Sequence, residues 1–135
     1  MVYLRQSIIV GLILLIAAAC GSGDAYVLGP QLYKDIDILV EIRPGAPTVG
    51  MNEFLVIATH KNRIPASEYV VSIKIKGQPD WHQSIQDGAT GVYRRAIRVN
   101  DPVNDVFTVQ LLNKDGKEAA VELDFPLQKS AKKSS

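Results

Sequence analysis

Apolar and polar residues alternate along the first half of the chain in a pattern typical of β-strands. Within residues 33–43, isoleucine or valine occupies every second position from Ile36 onward, and most positions between them are acidic. A two-residue period puts alternate side chains on opposite faces, so this segment predicts a half-buried strand. Residues 53–59 form an apolar run that predicts a central strand buried on both sides. Residues 68–76 alternate again and predict a third strand.

The second half of the chain repeats this pattern. Three further strands are predicted, at residues 91–100, 106–112 and 119–125. The turn at residues 113–116 (Asn-Lys-Asp-Gly) predicts a hairpin between the last two strands, because its glycine can adopt a positive φ. Six or seven strands without a helical period predict an all-β domain at residues 33–127, an antiparallel β-sandwich, with a closed sheet as the alternative. The inward faces predict a core that contains Val71, Ile73, Val109 and Val121.

The N-terminal residues have the layout of a secretory signal peptide. One basic residue, Arg5, precedes an apolar stretch at residues 8–18, and three alanines lead to Cys20. A membrane-spanning helix needs about 20 apolar residues, and this stretch is shorter. The segment Ile-Ala-Ala-Ala-Cys-Gly at residues 16–21 resembles the lipobox of bacterial lipoproteins, in which the cysteine is lipidated and becomes the new N-terminus. This resemblance implies a removed signal peptide at residues 1–19 and a lipid on Cys20.

Cysteine usage agrees with an exported, lipid-anchored protein. Cys20 is the only cysteine, so the chain cannot form an internal disulfide, and an exported free thiol would be exposed to oxidation. Acyl chains contribute about 0.8 kcal/mol per buried methylene, which makes release from the membrane negligible. We expect a protein anchored to a membrane and facing the periplasm or the cell exterior. Gly21, rather than aspartate, follows the cysteine, which favours the outer membrane if the host has two membranes.

The charged residues are nearly balanced. The sequence holds 15 lysines and arginines and 14 aspartates and glutamates, and Arg5 belongs to the predicted signal peptide. Nucleic-acid binding needs a concentrated positive surface, so we expect no nucleic acid as partner. Residues 20–32 are interpreted as a lipidated tether because of their glycine, serine and aspartate. Residues 128–135 contain three lysines and predict a disordered basic tail, either solvated or in contact with an anionic surface.

Two turn motifs carry a resemblance to a known family. Residues 44–56 contain Pro-Thr-Val-Gly ahead of an apolar strand, and residues 87–93 end in Gly-Val-Tyr where a later strand begins. This pattern resembles the YtkA-like and FixH-like group of exported immunoglobulin-like sandwiches, over most of residues 36–125. The resemblance implies an immunoglobulin-like fold and, for some members, a role in copper handling and oxidase assembly. Those members often carry methionines and histidines after the third strand. The matching residues 77–82 of this chain read Gly-Gln-Pro-Asp-Trp-His and contain no methionine.

Few side chains offer metal-binding chemistry. Copper(I) prefers soft sulfur ligands together with imidazole, so the candidate ligands are Met51, His60 and His82. Their spacing fits no metal motif. The alternative is that both histidines are surface residues, one at a strand end and one in a loop.

An aromatic patch is the candidate site for a protein partner. Trp81 stands beside His82, and together with Tyr69 the pair can present aromatic anchors of the kind that dominate many interfaces. The alternative is that Trp81 plugs one end of the sandwich, as large aromatic side chains commonly do.

Three arginines form a candidate anion or carboxylate site: Arg94, Arg95 and Arg98. Arg94 and Arg95 are adjacent on a predicted strand, so their side chains point to opposite faces. One of them therefore lies on the apolar side of the strand. The alternative role for that residue is to lay its aliphatic stem on apolar surface and send its charged head to the rim.

No catalytic constellation is supported by the sequence. The serines lack the glycine-flanked setting of a nucleophile elbow, and no Cys-His pair remains once Cys20 is lipidated. We therefore predict a non-enzymatic envelope lipoprotein, without cofactor, whose sandwich binds a protein partner or assists the assembly of a membrane complex. The alternative is a small-ligand or copper-binding module of the same fold.

Overall fold

Nine strands form within residues 25–129, the part of the chain that the computed structural model describes. They are β1 (Tyr26–Tyr33), β2 (Ile36–Arg43), β3 (Gly50–His60), β4 (Tyr69–Ile75), β5 (His82–Gln83), β6 (Ile85–Gln86), β7 (Val92–Val99), β8 (Val106–Asn113) and β9 (Val121–Pro126). Across this range no helix is long and apolar enough to cross a membrane. The predicted signal peptide, Cys20 and residues 130–135 lie outside the described residues.

The strands make two antiparallel sheets. A five-stranded sheet has the order β1-β2-β3-β7-β6, and a four-stranded sheet has the order β5-β4-β8-β9. The chain passes from one sheet to the other three times, between β3 and β4, between β5 and β6 and between β7 and β8, so each sheet combines early and late strands. The prediction of an all-β antiparallel sandwich is confirmed.

The core lies between the two sheets and is formed by alternate residues of their strands. The two-residue period predicted for the first long strand is confirmed in β2, where four residues are almost fully buried: Ile36, Ile38, Val40 and Ile42. Phe54 and Phe107 stack across the two layers, with ring centroids 4.3 Å apart. Of the four predicted core residues, Val71, Ile73 and Val109 are buried, whereas Val121 is half-buried at the start of the edge strand β9.

Strand β1 corrects the predicted boundary between tether and domain. It covers residues 26–32 of the segment 20–32, which the sequence pattern predicts to be a tether. The alternation is broken there because the pairing with β2 shifts register between Leu28 and Gln31, around a glycine and a proline. Gly29 has a φ of 89°, and a Cβ at this position would stand 2.9 Å from the carbonyl oxygen of Ile38. A segment that resembles a linker therefore forms a bulged edge strand.

Two short strands were not predicted. β5 and β6 contain two residues each, within the connection from β4 to β7. β5 pairs with β4 in one sheet and β6 pairs with β7 in the other, so this single connection lines one edge of both sheets. Strands of two residues are too short to show a period, and together with β1 they account for the rise from the six strands located in the sequence to nine.

The two ends of the sandwich differ in what they carry. The end at which β1 begins and β9 ends is called the terminal end. It carries the connections at residues 44–49, 76–81 and 100–105. The opposite, distal end carries the turn between β1 and β2 and the connections at residues 61–68, 87–91 and 114–120.

Candidate functional site

At the distal end, His60 contacts two carboxylates at once. Nδ1 of His60 lies 3.3 Å from Oδ2 of Asp35, and Nε2 lies 2.7 Å from Oε1 of Glu68. The imidazole side chain is 26% exposed, less than either carboxylate partner. Asp35 belongs to the turn between β1 and β2, His60 ends β3, and Glu68 precedes β4. The cluster therefore joins three segments that are distant in the chain.

The charge state of this cluster follows from its contacts. Partial burial lowers the pKa of His60, but the hydrogen bonds and charges of Glu68 and Asp35 together outweigh it, so that the pKa is raised above its ordinary value. An imidazole that donates to a carboxylate through each nitrogen is protonated and has no free lone pair for a metal ion. The geometry is that of a charged hydrogen-bonded link between segments.

We expect this link to make stability depend on pH. The raised pKa means that the folded state binds the His60 proton more tightly, so the stabilisation is complete below the unfolded pKa of about 6.5 and is lost as pH rises through the folded pKa. His60→Gln should remove this dependence. Unfolding by urea, compared for the two proteins, should show a larger difference in stability at about pH 5.5 than at about pH 8.5. A constant difference would contradict the ion-paired link.

The loop that holds Glu68 is fixed by the Gly-Val-Tyr motif at residues 91–93. The carbonyl oxygen of Gly91 accepts a hydrogen bond from the Ala58 amide, and the Tyr93 hydroxyl donates to the carbonyl oxygen of Ala66 at 2.8 Å. Burial raises the pKa of Tyr93 to about 12, so the hydroxyl keeps its proton as a donor. This motif therefore has a structural role, holding the connection at residues 61–68 against the end of β3.

The three candidate metal ligands do not come together. Met51 is near the start of β3 at the terminal end, whereas His60 ends the same strand about 30 Å away at 3.3 Å per residue. His82 is in the other sheet, paired with Ile73 of β4. These residues cannot share a copper ion, which corrects the predicted metal site. Among residues 25–129, no group of three or more His, Cys, Asp or Glu side chains is placed to hold a metal ion.

Arg94 is paired with carboxylates of its own chain on the outer face of the five-stranded sheet. Its guanidinium lies 2.7 Å from Oδ2 of Asp87 and 3.7 Å from Oε1 of Glu53. These two acids already compensate its charge. Arg94 therefore offers less attraction to an external anion than an isolated arginine would.

The other two arginines point elsewhere. Arg95 lies on the side of the buried Tyr93 and Ile97 and is nonetheless exposed, which agrees with a charged head sent to the rim. Arg98 shares the outer face with Arg94, but four residues of strand separate them by about 13 Å. The predicted anion site built from all three arginines is corrected, because their side chains do not converge.

Trp81 lies on the outer face of the four-stranded sheet. It is half-buried and is not part of the core between the sheets. The ammonium of Lys74 stands 4.5 Å from the centre of its ring, and Lys74 alternates with the buried Ile73 and Ile75 on β4. Trp81 therefore packs against the outside of the sheet, which corrects the alternative that it plugs an end of the sandwich.

The predicted aromatic patch contains Trp81 without its two companions. His82 pairs with Ile73, whose side chain points inward, so His82 lies on the inner side of β5. Tyr69 is buried at the start of β4, near the distal end. The register instead places Gln83, opposite Ser72, on the same outer face as Trp81.

A groove that the sequence did not reveal runs between the edge strands β1 and β9. Its volume is about 430 Å³, and its floor contains the buried Leu28 and Phe125. The Tyr26 hydroxyl donates to the carbonyl oxygen of Leu127, and the Gln31 amide donates to that of Asp124, so side chains bridge the two edges. The groove could not be predicted because β1 was assigned to the tether.

No match to this chain is found among protein-family models, curated proteins or solved structures. The likeness to the YtkA-like and FixH-like group, and the likeness to the lipobox, stay predictions from the residues that carry them. What bears on function is therefore the pattern of the sequence and the contacts within residues 25–129.

Proposed function

We propose that this chain is an exported lipoprotein, anchored through lipid on Cys20, whose β-sandwich binds a protein partner through the surface around Trp81. The observation that carries the proposal is the position of Trp81 outside the core, with one face of its ring covered by Lys74. Tryptophan is enriched among the residues that dominate binding energy at interfaces. A tryptophan that is not used to fill the core is available for that role.

The outer face of the four-stranded sheet, on which Trp81 lies, carries further polar contacts between its strands. The Lys76 ammonium lies 2.7 Å from Oδ2 of Asp124, and the Thr108 hydroxyl donates to Oδ1 of the same carboxylate at 2.9 Å. These hydrogen bonds, the one from Lys76 first, hold the pKa of Asp124 below its ordinary value. The two hydrogen bonds link the end of β4 with β8 and β9 on one face of the sheet. A partner would therefore meet a surface that is already ordered, which reduces the entropy lost on binding.

The strand order supports the immunoglobulin-like part of the proposal. With β2 as strand A, the larger sheet has the order A-B-E-D, and the smaller sheet continues C-F-G with β5 beside strand C. This order concerns the fold type alone, because one sandwich architecture serves many functions. The binding role is supported by Trp81, and the membrane anchor by the sequence around Cys20.

A crosslinking experiment tests the binding surface. With a photo-crosslinking amino acid at Gln83, on the outer face beside Trp81, we expect a discrete adduct with one protein in the membranes of the host. Trp81→Ala should abolish the adduct and lower the stability of the domain by only about 1 kcal/mol, the scale of an exposed cation–π contact.

The matched control carries the same crosslinker at Asp37, which is exposed on the outer face of the other sheet, and should give no adduct. Two outcomes would contradict the proposal. One is an adduct at Gln83 that survives Trp81→Ala. The other is a Trp81→Ala protein that is largely unfolded, since that would return the tryptophan to a structural role.

The groove between β1 and β9 favours a small-ligand module as the second candidate. Its volume of about 430 Å³ lies in the range of small-molecule sites, and polar groups of Gln31 and Gln128 surround an apolar floor. A ligand that co-purifies with the native protein, and is lost from a Val27→Trp variant, would favour this candidate over a protein partner.

A further inference from the structure

Three exposed apolar side chains lie at the terminal end of the sandwich. Val49, Met51 and Val103 are 69%, 61% and 60% exposed. Val49 and Met51 flank the first residue of β3, and Val103 is in the connection between β7 and β8. Single exposed apolar residues are common on protein surfaces, so exposure alone carries no conclusion. Two features distinguish these residues: hydrogen bonds hold their backbone in place, and both ends of the described chain lie beside them.

The backbone around Val49 is held by a buried amide side chain. Asn52 is 2% exposed, and its Nδ2 donates to the carbonyl oxygens of Thr48 at 2.8 Å and Gly50 at 3.0 Å. Its Oδ1 accepts a hydrogen bond from the Thr48 amide at 3.0 Å. All three hydrogen bonds reach the residues on either side of Val49. The valine is therefore displayed by a fully satisfied buried group, and not by a loose loop.

The turn that displays Val103 is held in a similar way. One carboxylate oxygen of Asp101 accepts hydrogen bonds from the amides of Val103 and Asn104, both at 3.1 Å. Oδ2 of Asp105 accepts from the amides of Asn100 and Asp101. The side-chain and backbone hydrogen bonds of Asn104 lower the pKa of Asp101. Both carboxylates are thus turned toward the backbone, and an aliphatic side chain lies near the tip.

Both ends of the described chain leave the fold beside these turns. The Tyr26 hydroxyl donates a hydrogen bond to the carbonyl oxygen of Leu127 at 2.7 Å and accepts one from the backbone amide of Lys129. The Lys129 ammonium lies 4.5 Å from the centre of the Tyr26 ring. Lys129, the last described residue, therefore packs against Tyr26 of β1. Five residue steps separate Ala25 from Cys20, a reach of at most about 18 Å. A lipid on Cys20 would keep the terminal end within that distance of the bilayer.

We infer that the terminal end is a membrane-contact surface, which places Val49, Met51 and Val103 at the headgroup region of an anionic bilayer. The inference rests on the proposed anchor at Cys20. Lys129, held against Tyr26, supplies positive charge beside the same surface, and basic residues next to a membrane anchor are attracted to anionic lipid. The distal end, with His60, then faces away from the membrane.

The test uses the lipidated full-length protein in vesicles of phosphatidylethanolamine and phosphatidylglycerol. Because lipid would occupy Cys20, an added cysteine is the one free thiol for a fluorescent label. Three variants carry the label: Met51→Cys and Val103→Cys at the terminal end, and Ile64→Cys at the distal end as the matched control. Ile64 is 57% exposed, close to the other two. Lipids with brominated acyl chains should quench the first two labels several-fold more than the third.

The outcomes separate this inference from the proposed anchor. Cys20→Ser protein should not float with the vesicles. If mass spectrometry finds no lipid on Cys20, or if the wild-type protein also does not float, both the anchor and the membrane-contact surface are overturned. Lipidated protein that floats but shows equal quenching at positions 51, 103 and 64 would overturn the membrane-contact surface alone. Quenching at position 103 should also weaken in phosphatidylcholine vesicles, and no change there would contradict the role of anionic lipid.

Discussion

Replacing Val109 with aspartate is expected to unfold the domain. Val109 is fully buried in the middle of β8, with Ile73 of β4 on one side and Leu123 of β9 on the other. An aspartate here would bury a carboxylate among aliphatic side chains, at a cost of several kcal/mol. A domain of this size has about 5–15 kcal/mol of stability in total. Circular dichroism during thermal unfolding should show a transition that is lost or strongly lowered.

The matched control for this substitution is Gln110→Asp. Gln110 is the next residue of β8 and lies half-buried on the outer face of the same sheet, so its side chain can reach water. The control should change stability by about 1 kcal/mol or less. If Val109→Asp melted like the parent protein, β8 would not place Val109 between the sheets.

Replacing Gly91 with alanine is expected to have the second largest effect. The φ of Gly91 is 69°, a conformation that costs other residues about 1–2 kcal/mol. The added Cβ would also stand 2.5 Å from the carbonyl oxygen of Ala58 and 3.1 Å from the amide nitrogen of Ala66. Both are backbone atoms, joined to each other by a hydrogen bond, so neither can give way freely. We expect a total loss of about 2–5 kcal/mol in urea unfolding.

Gly88 supplies the control, since it shares the backbone conformation without the crowding. Its φ is 61°, and a Cβ there would meet nothing within 4 Å. Gly88→Ala should therefore cost only the conformational part, about 1–2 kcal/mol. The difference between the two variants measures the close approach of Gly91 to Ala58. Equal losses would show that the chain does not pack so closely where β7 begins.

The sandwich was predictable because its strands carry a strong local signal. The isoleucines and valine of β2 recur at every second position, and residues 54–58 are all apolar, so strand positions and inward faces follow from the sequence. β1 lacks such a signal, because Gly29 and the proline after it interrupt the alternation at a bulge. The bulge fits between β2 and Phe125. These contacts exist only in the folded protein, so the local sequence does not show them.

The candidate sites were less predictable because each depends on contacts between distant residues. His60 was considered as a metal ligand, but its partners are 25 positions before it and 8 positions after it, and no local motif connects them. The sequence offers Trp81 as a candidate anchor for a partner, whereas the face on which it lies is set by the pairing of β5 with β4. Asn52 holds the backbone on both sides of Val49, and this role depends on the folded conformation of the preceding turn. A buried asparagine leaves no mark in the sequence beyond its position before an apolar strand.

A lipid anchor on Cys20, as proposed, would also decide how the domain bears load. If a bound partner moves away from the membrane, tension from Cys20 enters the fold at Tyr26, at the terminal end of an edge strand that runs toward the distal end. The pull is then along β1, while its hydrogen bonds to β2 are perpendicular to the strand. Those hydrogen bonds share the force in shear and do not open one at a time. With the proposed anchor in place, β1 would therefore resist unfolding under tension better than a strand that is peeled from its sheet end by end.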